Sequence, residues 1–178
     1  MSKRNNFVFK VLHVVAWAIF VGLCIEAGAL IVNFIFSVFK PEFVGNLYQK
    51  LDLSKLYQQS KVIFFGMYGF ALLISILKAM LFYILIVLLH KLDLSKPFSS
   101  YVADKIKSIS YYTFFIGIIS LIAGQLAENL LYHGYETGKL NQFWEDGQAF
   151  ILMAAVVFVI SQIFKRGVEL QNENDLTV

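Results

Sequence analysis

The sequence predicts an all-α integral membrane protein: four transmembrane helices in an antiparallel bundle, with both termini cytoplasmic. Three observations predict it. The 178 residues are 58% hydrophobic and only 15% charged, whereas soluble domains carry about 25% charged residues. Mean hydropathy is +0.68. The apolar residues also fall in long runs, and about 20 such residues in succession suffice to cross a bilayer. A chain of this length makes one domain, with spans at about 11–39, 62–89, 106–131 and 148–164 and a cytoplasmic tail at 165–178. The formal charge of +3 is then a signal of topology and lipid contact, not of nucleic acid.

The first span follows a basic lead containing Lys3, Arg4 and Lys10. A secretory signal has an apolar region of only about 7–15 residues. Here the run passes the small residues Ala27-Gly28-Ala29 and continues to Phe39, so it is read as a span. Ala18, Gly22, Glu26 and Ala29 share one face of that helix, and small residues at such spacing let a second helix approach closely. Cys24 is the single cysteine. One thiol forms no intrachain disulfide, and it reads as a small packing residue.

The connection from Lys40 to Lys61 carries Pro41, Gly45 and several aromatic residues. It is long enough for a short interfacial helix, where tyrosine prefers to sit. In the second span Ala71, Ser75 and Lys78 fall on one side. An unpaired cation near mid-bilayer costs about 2.5–3.5 kcal/mol on insertion scales, and Glu26 lies at a similar depth. The expected arrangement is a buried Glu26–Lys78 ion pair, with backbone carbonyls or Gln125 as the alternative partners of Lys78. Beyond it, Pro97 suits a first helical turn and Ser95 its N-cap, so a short amphipathic helix is expected to lead into the third span.

The third span carries Thr113, Gly117, Ser120, Gly124 and Glu128 at steps of three and four residues. This is the clearest helix-packing stripe in the chain. The last connection is acidic, with Glu136, Glu145 and Asp146 near His133, and is read as a solvated loop in preference to a divalent-cation site. Lys165 and Arg166 end the fourth span. The two termini and the middle connection hold nine Lys and Arg, and the other two connections hold five. The more positive side faces the cytoplasm.

A search for chemistry returns no phosphate loop, zinc-protease helix, nucleophile elbow or paired-cysteine metal spacing. No catalytic, cofactor or metal site is expected. His13 and His90 fall near the same ends of adjacent spans, where two imidazoles could ligate a haem iron; interfacial polar residues explain them better. Lys50-Leu51-Asp52-Leu53-Ser54-Lys55 recurs at Lys91-Leu92-Asp93-Leu94-Ser95-Lys96. The helices that follow show no such likeness, so the echo is read as two independent interfacial segments and not as an inverted repeat.

Three features together resemble a bacterial four-span membrane-protein family catalogued as domain of unknown function 2975. They are the run from Ile163 to Gln171 with its continuation Glu173-Asn174-Asp175-Leu176-Thr177-Val178, the Lys96-Pro97-Phe98 segment, and the plan of four spans. The resemblance implies a bacterial inner-membrane location and no reaction or ligand. The expected function is non-enzymatic binding or regulation. Besides the lipid bilayer, the partner would be a protein at the cytoplasmic face, touched by Lys165, Arg166, Glu173 and Asp175, or a second copy of the chain. The alternative is a small transporter or channel subunit using Glu26 and Lys78.

Overall fold

The computed structural model describes residues 3–48, 51–92 and 97–175. The helices and 3₁₀ turns among the described residues include, in order, α1 (Lys3–Phe39), η1 (Pro41–Gly45), α2 (Ser54–Gln59), α3 (Lys61–Lys91), α4 (Ser100–Tyr132), η2 (Gly138–Phe143) and α5 (Gly147–Asp175). No strand occurs among the described residues. Four of the helices are long and apolar enough to cross a membrane. The basic lead is part of α1, which is helical from Lys3.

Local chemistry sets the boundaries. Ser60 closes α2 and opens α3. Its extended backbone turns the chain, its N–H donates to the Leu56 carbonyl, and its hydroxyl accepts from the Ile63 N–H at 3.4 Å. Helix α4 begins at Ser100, capped by the Ser99 hydroxyl on the Val102 N–H at 3.3 Å. The separate helix expected before the third span is therefore, within the described residues, the first turns of α4 itself. Pro97 lies outside the helix, and Ser95 lies outside the described residues. Helix α4 ends at Tyr132, and the chain turns away at Gly134, whose φ of +86° is open to glycine at little cost. The Gly134 and Tyr135 N–H groups take the Leu131 and Leu130 carbonyls, each at 3.0 Å.

The long helices are neighbours in succession: α1 packs on α3, α3 on α4, and α4 on α5 along the most extensive seam. Among the described residues α1 has no comparable packing on α4 or α5. The four helices thus form an open succession. Ring contacts run along the first seam, with Phe20 on Tyr83 and Phe34 on Phe65 and Tyr68. Tyr68 is fully buried, and its hydroxyl donates to the Leu30 carbonyl at 3.2 Å.

The main core lies at the end where η1, α2 and η2 meet the helices. Val44, Leu47, Leu51, Leu53 and Leu56 from the first connection join Phe64 to Ile74 of α3. Ile116 to Ala127 of α4 and Leu140, Phe143 and Trp144 complete it. Elsewhere large apolar side chains point outward: Leu152 is 70% and Ile163 60% exposed. Burial between helices adds little when lipid is as apolar as the interior. A compact core is gained where connections must leave water.

Candidate functional site

The two charges expected to pair do not. Glu26 accepts a hydrogen bond from the Ser75 hydroxyl at 2.8 Å. Lys78 donates to the Phe143 carbonyl at 3.4 Å and lies 5.6 Å from the centre of the Phe150 ring. The three ion pairs among the described residues are Lys55–Glu136, Lys139–Asp52 and Arg166–Glu169. The reason is the place of α3 in the succession. Ser75 meets α1 and satisfies Glu26, while Lys78 is directed to η2 and α5, where a carbonyl and a ring face receive it. Of the alternatives open for Lys78, the backbone carbonyl is the one observed.

This geometry makes a prediction. Thermal unfolding in detergent of Glu26→Gln, Lys78→Met and the double variant should be additive. Residues that share no partner couple by less than about 0.5 kcal/mol. Coupling above about 1 kcal/mol would show that the two charges meet.

The stripe on α4 divides. Thr113 is buried, and its hydroxyl turns back to the Ile109 carbonyl at 2.7 Å. Gly117 meets α5 backbone to backbone: a Cβ there would stand 2.6 Å from Ile151 Cγ1, 3.0 Å from Ile151 N and 3.1 Å from the Gly147 carbonyl oxygen. Gly147 returns the contact, its missing Cβ lying 3.0 Å from Ser120 Cβ and 3.2 Å from Leu121 N. Gly124 faces the Trp144 ring. Glu128 is exposed and leaves the seam, lining instead a cleft beside Gln125, Trp144 and Glu145.

A clasp between the first and last connections was not foreseen. Lys55 bonds Glu136 at 2.8 Å. Gln59 donates to the Gly134 carbonyl at 2.8 Å and accepts from the Glu136 N–H at 3.2 Å. Lys139 donates to the Asp52 carbonyl at 3.0 Å. The Ser54 hydroxyl and N–H both donate to the Asp52 carboxylate and, with Lys139 and Lys55 nearby, hold it below its ordinary pKa. The Glu136 hydrogen bond raises Lys55. The opposite charges of Lys55 and Glu136 were visible in the sequence, but they lie 81 positions apart and no spacing rule joins them.

Of the acidic group near His133, Glu136 is drawn to Lys55, and the His133 ring nitrogen sits 2.8 Å from the Asn129 carbonyl. Among the described residues no three His, Cys, Asp or Glu side chains gather as metal ligands. At the opposite end His13 and His90 do come together, ring centres 6.1 Å apart, with the Trp17 indole N–H on His13 Nε2 at 3.1 Å.

The tail is a helical arm. Helix α5 runs unbroken past Lys165 and Arg166, both exposed, through Glu173 to Asp175. Arg166 bonds Glu169 at 2.9 Å. Phe98 roots the arm: its ring lies 5.4 Å from that of Phe164, and a Cβ at Gly167 would stand 2.4 Å from it. The Pro-Phe segment and the tail segment, far apart in sequence, are thus one contact. Lys96 and the last three residues, 176–178, lie outside the described residues.

Four helices long and apolar enough to cross a membrane are the architecture of a multi-pass membrane protein. A family model described as "Protein of unknown function (DUF2975)" matches residues 48–178, and the chain belongs to that family. The matched stretch holds α2 to α5, with Ser75, Lys78 and the arm, and leaves α1 with Glu26 outside it. No curated protein and no solved structure matches the chain.

Proposed function

We propose that the chain is a bacterial inner-membrane protein, inserted as antiparallel spans with both termini cytoplasmic, that works by binding a protein through its arm and not by catalysis. The excess of Lys and Arg on the termini and middle connection supports that orientation. The observation that carries the reading is the length and anchoring of α5. Its 29 residues make roughly 44 Å of helix, whereas the hydrocarbon core is about 30 Å thick. The last turns therefore project into water as a helix, with charged side chains and a fixed root at Phe98 and Gly167. A pre-formed helix loses less entropy on docking than a disordered tail. The transport alternative rested on a Glu26–Lys78 pair, whereas the two side chains bond Ser75 and the Phe143 carbonyl.

The test places a photo-crosslinking residue at Glu169 or Asn172 in cells, with Leu152, on the apolar outer surface, as control. The expected result is a discrete protein adduct from the arm positions only, or a dimer of the chain if the partner is a second copy. Absence of any adduct from both arm positions would overturn the reading.

A further inference from the structure

We propose that the cleft between α4, η2 and the start of α5 binds a small organic ammonium compound that also carries an acceptor oxygen, such as an amino alcohol. The cleft has a volume of about 290 Å³. Helix α4 contributes Gln125 and Glu128, the connection contributes Asn141, Trp144 and Glu145, and α5 contributes Gln148. Among the described residues no Lys, Arg or His lines it, and neither Glu128 nor Glu145 joins any of their ion pairs. Two carboxylates outside those ion pairs, at one opening, favour a negative potential that gathers cations.

The second observation is independent of charge. Trp144 is only 5% exposed. The indole N–H of Trp17 has an acceptor in His13, whereas no hydrogen bond engages that of Trp144 among the described residues. No side-chain nitrogen or oxygen sealed from solvent lacks a partner among them, so this N–H is not sealed, and the cleft is what its ring lines. Gly124 leaves it uncovered: a Cβ there would lie 3.4 Å from Trp144 Cδ1 and 3.9 Å from Nε1.

The donor set selects the ligand. An aromatic wall beside carboxylates recognises ammonium groups, and the free indole N–H asks for an oxygen on the same molecule. A hard divalent ion takes about six oxygen ligands or more and would leave the indole unused. The volume sits at the lower end of ligand pockets, about 300–1,000 Å³, and suits a small molecule or a single headgroup. Free amino alcohol and the headgroup of an ethanolamine lipid share this chemistry. None of the arm residues takes part, so this inference stands apart from the proposed cytoplasmic role.

The test uses the full chain with Trp17→Phe, which leaves Trp144 as the reporter, since the sequence holds two tryptophans. The protein is placed in nanodiscs of phosphatidylglycerol and titrated with ethanolamine, with ethylene glycol as the neutral isostere and with magnesium chloride. A saturable change in Trp144 emission is expected with ethanolamine alone. It should weaken at least tenfold in Glu128→Gln/Glu145→Gln, both exposed positions, and in Gly124→Ala, whose methyl group fits at ordinary contact distance. Discs that contain phosphatidylethanolamine distinguish the sources. If the emission is already shifted there and free ethanolamine adds nothing, the headgroup is the ligand; if the titration is unchanged, the free amine is. No saturable response in either disc, an equal response to ethylene glycol or magnesium, or a response that survives the double substitution would overturn the proposal.

Discussion

Gly117→Leu should break the seam between α4 and α5, and Gly117→Ala should already destabilise it by about 1–3 kcal/mol. The first added carbon meets Ile151 Cγ1 at 2.6 Å, but also Ile151 N at 3.0 Å and the Gly147 carbonyl oxygen at 3.1 Å. A side-chain carbon can swing aside. A backbone nitrogen and a backbone oxygen move only if α5 itself is pushed back along the most extensive interface of the molecule. In lipid, helices are held by close van der Waals approach and not by release of water, so separating the backbones removes what joins them. Gly22→Ala is the internal control. A Cβ there meets nothing within 4 Å, and replacing a mid-helix glycine by alanine gains up to about 1 kcal/mol in helix propensity. Thermal unfolding in detergent should therefore move down for position 117 and stay or rise for position 22. Equal shifts at the two sites would show that the seam is looser than the structure has it.

Phe64→Ala should cost about 3–5 kcal/mol, the range for emptying a buried phenylalanine site. The side chain is 0% exposed. Its ring stands 5.1 Å from Tyr57, 5.1 Å from Phe65 and 5.7 Å from Tyr68. It thus joins α2 to the first turns of α3 at the place where the core lies. Beneath the clasp of Lys55, Gln59 and Glu136 this ring cluster supplies most of the holding energy, because exposed ion pairs contribute only about 0–1 kcal/mol. Limited proteolysis should cut the first connection of the variant much faster than that of the parent. Val62→Ala, two residues away on the same helix but 82% exposed, should change stability by less than about 0.5 kcal/mol. If Phe64→Ala were as mild as Val62→Ala, the ring cluster would not be packed as described.

The four apolar spans were legible because their signal is one of composition and length, which no tertiary contact can hide. The stripe on α4 was legible for a related reason. Small residues recur at helical spacing, and the spacing alone places Gly117, Ser120 and Gly124 along one face. Glu128 belonged to that pattern on paper and left it in the molecule, because a carboxylate one turn beyond the seam is free to turn toward the cleft. The ends of helices at Ser60, Ser99 and Gly134 follow from local hydrogen bonding, yet which serine caps α4 depended on where the helix could begin against its neighbours.

By itself the sequence determined that this chain builds four long apolar helices, where close approach is allowed, and which charges have to be explained. Its hydropathy and its glycines act within a turn or two, so these properties are local. Only the tertiary structure decided the partners. Glu26 and Lys78 are matched in depth, but depth says nothing about the direction in which a side chain leaves its helix. The succession of α1, α3, α4 and α5 sends one to Ser75 and the other to Phe143. The same succession brings Phe98 against Gly167 and Lys55 against Glu136. Such meetings join residues tens of positions apart, and their energies come from packing and direction, which no linear spacing encodes.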